Sequence, residues 1–190
     1  MCFGSSVSNS PLKSRILVVL VNAANWDSNG QFETVLSEIL NEDIRESEIH
    51  WFRNSPPTCL PRNLSPSAAS LSRIILYYGY GRNMDHLIAY CANFSSSKPN
   101  RVFVIVELEQ SDVPHETALA ATLALLTDLS KLLLKGSDVN DSTGVLGGFF
   151  VVVLISTSNV FNFALIASLY TDCIVRQLLD GTFESLPSNC

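Results

Sequence analysis

The sequence predicts an α/β domain in three layers, with helices on both faces of a mostly parallel sheet of about five to six strands. Two observations indicate this class. Continuous apolar, β-branched runs such as Arg15–Val21 and Gly148–Ser156 are typical of strands that are buried on both faces. These runs alternate along the chain with segments of helical periodicity, and that alternation predicts parallel strands joined by helical crossovers.

The predicted elements justify this class in order. The predicted strands are Arg15–Val21, Glu48–Arg53, Arg73–Tyr78, Arg101–Leu108 and Gly148–Ser156. Helical patterns begin near Phe32, Met84, Pro114 and Asn159, and a further helix could open at Ser65–Ala69. We expect the last helix to run to about Leu179 and to end at Gly181, because glycine commonly terminates helices.

The predicted domain organisation is simple. At 190 residues the chain has the length of one ordinary domain, and it has neither a fixed-period repeat nor an internal break in composition. We therefore expect an N-terminal tail at residues 1–14, a single α/β domain at 15–181 and a C-terminal tail at 182–190.

Composition and charge exclude several classes of function. The formal charge of −6 disfavours binding to nucleic acid, and no apolar run reaches the ~18 residues of a membrane span. The five cysteines are scattered without Cys-x-x-Cys spacing, and the three histidines have no metal-ligand spacing. The sequence therefore predicts a cytoplasmic protein with reduced thiols and with no cofactor, metal, nucleic acid or membrane partner.

One stretch organises the functional interpretation. The predicted strand Arg73–Tyr78 ends in a Gly-x-Gly turn that brings Tyr80 to a sheet edge where ligands usually bind. The polar loop Asn22–Gly30 follows the first strand in the same way. Together they predict a possible ligand loop for a flavodoxin-like small-molecule-binding or nucleotide-binding protein or enzyme. Its candidate residues are Asn22, Asn25, Asp27, Gly79, Gly81 and Arg82.

The order of these parts resembles the caspase-like cysteine peptidases. Phe52–Asn54, then Leu71–Gly81 and then Lys98–Val106 follow the order of the family's motifs. Phe149–Ser158 and the helix with Phe163–Leu165 resemble the family's small-subunit strand and the helix after it. This resemblance implies a caspase-like sheet in which the Arg101–Leu108 strand lies beside the Arg73–Tyr78 strand.

The two catalytic positions of that family are not retained. Tyr80 stands where the resemblance implies the general-base histidine, and Glu107, Leu108 and Glu109 stand where it implies the catalytic cysteine. Peptide hydrolysis by this route needs both a thiolate and a nearby imidazole. The resemblance therefore implies a pseudoenzyme that acts as a protein-binding or regulatory module.

Other candidate chemistry has a structural interpretation. Tyr80 with Glu107 or Glu109 could form an acid–base pair, but a simple hydrogen bond between hydroxyl and carboxylate is the favoured interpretation. Cys91 and His86 diverge on a helix because they are five residues apart, so Cys91 is predicted to be a buried core thiol. We expect His50 and His115 to be surface or loop histidines.

The last two helices carry more apolar surface than one face of a sheet usually needs. They contain Leu119, Leu123, Leu126, Leu129 and Leu133, then Phe161, Phe163, Leu165, Ile166, Leu169 and Tyr170. One interpretation is a large core. The other is a surface for a protein partner or a homodimer.

Overall fold

A computed structural model describes residues 16–41, 47–58, 71–79, 82–94, 101–109, 116–136 and 148–186. Its seven strands are β1 (Ile16–Asn22), β2 (Ser47–Arg53), β3 (Ile74–Tyr78), β4 (Arg101–Leu108), β5 (Gly148–Thr157), β6 (Cys173–Gln177) and β7 (Phe183–Ser185). They form one sheet in the order β3-β2-β4-β5-β1-β6-β7. The first six strands pair in parallel, and β7 pairs with β6 in antiparallel fashion.

Helices cover both faces of the sheet. The described helices are α1 (Ser28–Asn41), α2 (Asn83–Asn93), α3 (Glu116–Gly136) and α4 (Val160–Ser168), and a short 3-10 turn (Ala23–Asn25) precedes α1. On one face, Leu36 of α1 packs in a core with Trp51 and Ile105. On the other face, Leu87 of α2 and Leu123 of α3 pack in a second core. The predicted three-layer α/β class is confirmed, with seven strands rather than five or six.

The central strands are buried because their residues are apolar on both faces. In β1, successive residues from Val18 to Val21 point to alternate faces and all are buried. β5 behaves in the same way from Val151 to Ile155. Such continuous runs suit the interior of a parallel sheet, whose two faces are both covered by helices.

The C-terminal region differs from the prediction. Helix α4 ends at Ser168, and the residues that follow form β6 and β7 instead of a longer helix and a tail. The Thr171 hydroxyl donates a hydrogen bond to the Ile16 carbonyl, which directs the chain into the sheet beside β1. Gly181, with φ of 82°, lies in the turn between β6 and β7, so its predicted role as a helix terminator is wrong.

The strand order also corrects an expectation. The caspase-like resemblance implied that β4 lies beside β3, but β2 lies between them and pairs with both. That implied neighbourhood is therefore wrong, and with it the expectation that Tyr80 and Glu107 follow adjacent strands.

Some predictions fall outside the described residues. These are the N-terminal tail at 1–14, the possible helix at Ser65–Ala69, and the positions of Tyr80, Gly81 and His115. In the part of the chain that is described, no helix is both long enough and apolar enough to cross a bilayer.

Candidate functional site

By strand order, connections diverge between β2 and β4 and between β1 and β6, and the second of these crevices adjoins the predicted ligand loop. From β1 the chain crosses toward β2 on one side, whereas the β5-to-β6 connection passes over β1 to the other side. Ligands of open α/β sheets bind at the carboxyl ends of strands where the connections diverge in this way. Asn22 at the end of β1, Thr157 at the end of β5 and Gln177 at the end of β6 lie at this crevice.

Two of the predicted ligand residues in this crevice make local hydrogen bonds instead. The Asn22 side-chain oxygen accepts a hydrogen bond from the Ala24 N–H at 3.0 Å and so caps the 3-10 turn. The Asp27 carboxylate accepts one from the Asn29 N–H at 3.1 Å, at the start of α1. The negative charge of Asp27 already occupies the N-terminus of α1, which is where a phosphate would otherwise bind. This end of α1 therefore disfavours anions.

Gly30 makes the Asp27 cap possible. A Cβ atom at this position would lie 2.8 Å from Asp27 Oδ2, a separation that Cβ atoms in proteins essentially never show. The glycine therefore leaves room for the carboxylate above the first turn of α1. This close approach accounts for a glycine in the first turn of α1 without a bound phosphate.

A cavity of about 290 Å³ remains beside this loop. Its lining contains both polar and apolar residues, namely Asn22, Asn25, Val160, Arg176, Gln177, Leu178 and Leu179. Behind it, the buried Gln31 donates a hydrogen bond through Nε2 to Gln177 Oε1 at 2.8 Å. Of the predicted ligand residues, Asn22 and Asn25 therefore line this cavity.

The second half of the predicted ligand loop lies elsewhere. Gly79 and Arg82 follow β3 at the edge of the sheet, and three strands separate β3 from β1. At ~4.8 Å between neighbouring strands the two loops are about 19 Å apart. The Gly79 N–H donates to the Arg53 carbonyl at 2.9 Å, which continues the pairing of β3 with β2. The two loops therefore do not form one site.

Glu107, a predicted degenerate catalytic position, belongs to a buried polar group that we call the Glu107 cluster (Trp51, Arg53 and Glu107). Trp51 Nε1 donates a hydrogen bond to Glu107 Oε1 at 2.7 Å, and Arg53 Nε lies 3.6 Å from the same oxygen. The side chains of Arg53 and Glu107 are 1% and 0% exposed. Glu107 is therefore shielded from any substrate and neutralises a buried guanidinium.

The strand register explains why this cluster forms. Trp51 and Arg53 lie two residues apart on β2, so they point to the same face of the sheet. Phe52 pairs with Val106 in the parallel register of β2 and β4, and one step further Arg53 lies opposite Glu107. Leu108 points to the other face and is buried there, while Glu109 follows β4 and is partly exposed.

A second polar group lies on the opposite face of β2. The fully buried His50 has Nδ1 at 3.1 Å from the Tyr77 hydroxyl and Nε2 at 3.1 Å from Glu48 Oε2. The Tyr77 ring stacks on Phe52 at 4.5 Å, and burial followed by the Glu48 charge raises the pKa of Tyr77. The prediction of a surface or loop position for His50 is wrong, because neighbouring strands and the rings of Tyr77 and Tyr90 enclose it.

This group had a weak signal in the sequence. Glu48 and His50 share one face of a strand because they are two residues apart, and a histidine in an apolar strand must be paired if it is buried. The third member, Tyr77, comes from β3, and only the register of β2 with β3 brings it near. The sequence alone does not contain that register.

Cys91 is a poor nucleophile in this setting. Its side chain packs against the core below α2, and burial raises the pKa of the Cys91 thiol to about 11. The thiol is therefore protonated at neutral pH, whereas nucleophilic attack requires the thiolate. His86 is exposed on the same helix, consistent with the predicted divergence of the two side chains. Within the described ranges, no group of three or more metal-ligating side chains occurs.

A row of exposed apolar side chains lies on α4 and at its C-terminal end; we call it the α4 stripe and define it as Phe161, Leu165 and Leu169. These side chains recur every four residues and are 74%, 53% and 76% exposed. A groove of about 360 Å³ runs beside the stripe, with Arg176 and Leu186 on its far wall. In α3, by contrast, the predicted apolar stripe is buried from Leu119 to Leu129, and the side chain of Leu133 lies outside the described part of the chain.

The chain was compared with family models and with characterised proteins, and neither comparison found a match. Its class therefore rests on the fold and the sites described above. It is an α/β domain with a mostly parallel sheet, buried polar groups on both faces of β2, and an exposed apolar helix beside a switch point of the strand order.

Proposed function

We propose that this chain is a non-catalytic α/β domain that binds another protein through the α4 stripe. The observation that carries the proposal is the exposure of Phe161, Leu165 and Leu169 along one side of a helix whose other side packs against the core. Large apolar side chains gain free energy when a partner removes them from water. Contiguous apolar surfaces of this kind mark interaction sites.

The chemistry of the sheet edge supports a binding role. The carboxylate at the predicted nucleophile position, Glu107, is enclosed and hydrogen-bonded to Trp51. Asn22 and Asp27 cap local turns. We place this role in the cytoplasm, where thiols such as Cys91 and Cys173 stay reduced.

The proposal does not depend on ancestry. The interpretation as a caspase-like pseudoenzyme stays a prediction from sequence, and the observed order of β3, β2 and β4 gives it no support. What the two interpretations share is a domain that regulates by contact rather than by peptide hydrolysis. A homodimer is one form that such a contact could take, and it is considered below.

Site-specific photo-crosslinking in cells tests the binding role. A photoreactive phenylalanine analogue replaces Leu165 in one variant and Ile88 in a control, because the two side chains are similarly exposed at 53% and 51% on different helices. We expect a discrete protein adduct at position 165 that is lost when Phe161→Ser is added, and none at position 88. Equal adduct patterns at both positions, or no adduct at 165, would contradict the proposal.

A peptidase assay tests the non-catalytic part. The purified chain is expected to leave basic and acidic reporter peptides intact at neutral pH, because the Cys91 thiol is protonated and partly buried. Cleavage that disappears in Cys91→Ala would overturn this part of the proposal. Cleavage that persists in Cys91→Ala and co-purifies with the chain would overturn it as well.

A second candidate function is favoured by the 290 Å³ cavity at the carboxyl end of β1. Its polar lining, with Asn25, Gln177 and Arg176, suits a small polar ligand, whereas the Asp27 carboxylate disfavours a phosphate at the N-terminus of α1. Thermal unfolding with a panel of nucleotides and small polar metabolites tests this candidate. A stabilising compound whose effect is lost in Asn25→Leu but retained in Asn93→Leu would support a ligand site here.

A further inference from the structure

We propose that the occupant of the α4 stripe is an amphipathic helix of another protein whose apolar face is flanked by Lys and Arg. The inference rests on the proposed function, since it specifies the chemistry of the partner at the same surface. Two properties of the surface carry it: the shape of the apolar groove and the sign of the charges around it.

The shape favours a helix. The residues of the stripe are spaced four apart in the sequence, so they form a line about 12 Å long, or about two helical turns. The groove beside them is walled by α4 on one side and by Arg176 and Leu186 on the other. A helix with apolar anchors at i, i+4 and i+7 presents side chains at matching intervals to such a groove.

Strand addition is the other common way to occupy such a surface, and it fits less well. The edge strand next to the groove, β7, has only three residues, and two of them are exposed polar side chains, Glu184 and Ser185. A strand of this length offers few main-chain hydrogen bonds to an added segment. The apolar contacts of α4 therefore contribute most of the available binding free energy.

The charges around the stripe are predominantly negative. Glu116 accepts a hydrogen bond from Asn162, which is next to Phe161, and Asp172 follows Leu169 by three residues. Asp180 follows the exposed Leu179, and Glu184 forms an ion pair with Arg176 on the groove wall. One of these four carboxylates is neutralised by Arg176, and the other three are accessible to cationic groups of a partner.

The same charges disfavour a second copy of this chain. In a two-fold symmetric contact the same patch lies on both sides, so the acidic rim would face itself. The chain also has a net charge of −6, and like charges across an interface are unfavourable. A basic partner gains the complementary attraction.

Two synthetic peptides test the proposal against the full chain. Both are amphipathic helices of ~18 residues, about five turns, with the same leucine face; one carries flanking lysines and the other flanking glutamates. Binding is measured by fluorescence anisotropy. We expect the lysine peptide to bind at least tenfold more tightly, and Leu165→Ser to weaken it about tenfold while the similarly exposed Ile88→Ser leaves it unchanged.

Charge reversal separates the electrostatic from the apolar contribution. Asp172→Lys is expected to weaken the lysine peptide about threefold to tenfold and to strengthen the glutamate peptide. Asp85→Lys is the control, because it makes the same change at an exposed position on α2, the helix that also carries the control residue Ile88. Circular dichroism of each variant verifies that the fold is retained.

Every other outcome of the peptide experiment contradicts a defined part of the proposal. Equal affinity for the two peptides contradicts the basic partner but leaves an apolar binding surface, as in the proposed function. A dimer that Leu165→Ser dissociates, without peptide binding, identifies a second copy as the occupant and overturns the inference. A monomer that binds neither peptide also overturns it, and photo-crosslinking at Leu165 then decides the proposed function separately.

Discussion

The Glu107 cluster and the α4 stripe reverse the usual distribution of polar and apolar groups. In the cluster, a carboxylate and a guanidinium are almost wholly removed from water. In the stripe, three large apolar side chains are more than half exposed. Charged residues are almost never fully buried unless they are paired, and contiguous apolar surfaces on a monomer are rarely without a function.

The difference between the two regions indicates which of them acts on other molecules. A buried ion pair is held by contacts within the chain, so its loss lowers the stability of the fold. An exposed apolar side chain contributes little to the fold, so its loss changes association instead. The two regions therefore predict opposite responses to substitution, and the following experiments test that contrast.

The largest effect is expected for Glu107→Leu. Removing the carboxylate leaves the Arg53 guanidinium buried beside an apolar group, at a cost of about 3–5 kcal/mol in the free energy of unfolding. Urea unfolding measures this loss. Glu109→Leu is the matched control, because Glu109 is partly exposed and is expected to change stability by less than about 0.5 kcal/mol.

A double variant sharpens this prediction. Arg53→Met combined with Glu107→Leu removes both charges, and it is expected to be more stable than Glu107→Leu alone because no uncompensated charge stays buried. If the free energy of unfolding falls in the double variant by the sum of its decreases in the two single variants, the two side chains do not interact as described.

A smaller loss is expected on the opposite face of β2. Tyr77→Phe removes the hydroxyl that lies 3.1 Å from His50 Nδ1 but keeps the ring that stacks on Phe52. Losing this hydrogen bond costs about 1 kcal/mol, more if the imidazole is left without a replacement partner. In a His50→Leu background the same change should cost less. An unchanged cost in that background would show that the hydroxyl does not act through His50.

The fold class was predictable because β1 and β5 are long, continuous apolar runs, and such runs have few alternative structures in a chain of this composition. The strands β6 and β7 were missed because they are short and directly follow a helical pattern through Leu169 and Tyr170. The order of the strands was also missed, since it depends on contacts between segments far apart in the chain.

The site was predictable only as single positions. Glu107 was identified at the end of its strand, but its partners Trp51 and Arg53 lie on a strand that pairs with β4 across about 50 residues of sequence. Asp27 lies in the segment after β1, as predicted, and Asn22 is the last residue of that strand, yet both side chains cap turns. Local sequence predicts where a polar side chain lies and does not predict which group it binds.

The α4 stripe predicts a small effect on stability. Leu165→Ser is expected to change the free energy of unfolding by less than about 0.5 kcal/mol, because this side chain is half exposed. Leu123→Ala on α3 is the contrasting change, since that leucine is fully buried and its truncation should cost about 2–5 kcal/mol. Similar losses for both would place Leu165 in the core and remove the contrast between the two regions.

The last effect depends on pH and concerns Cys91. Burial raises the pKa of its thiol from 9.0 to about 11, so the folded chain holds this proton over a pH range in which the unfolded chain releases it. The contribution to stability is therefore present below pH 9 and is lost as the pH rises toward 11. The free energy of unfolding, measured with urea, should fall less steeply between these pH values in Cys91→Ala than in the unsubstituted chain.

A labelling experiment tests the same thiol. At pH 8, iodoacetamide should label Cys91 more slowly than the exposed Cys173, as measured by peptide mass spectrometry. Faster labelling of Cys91 would mean that the interior contains an activated thiol, and the contrast between a structural interior and a binding surface would no longer hold.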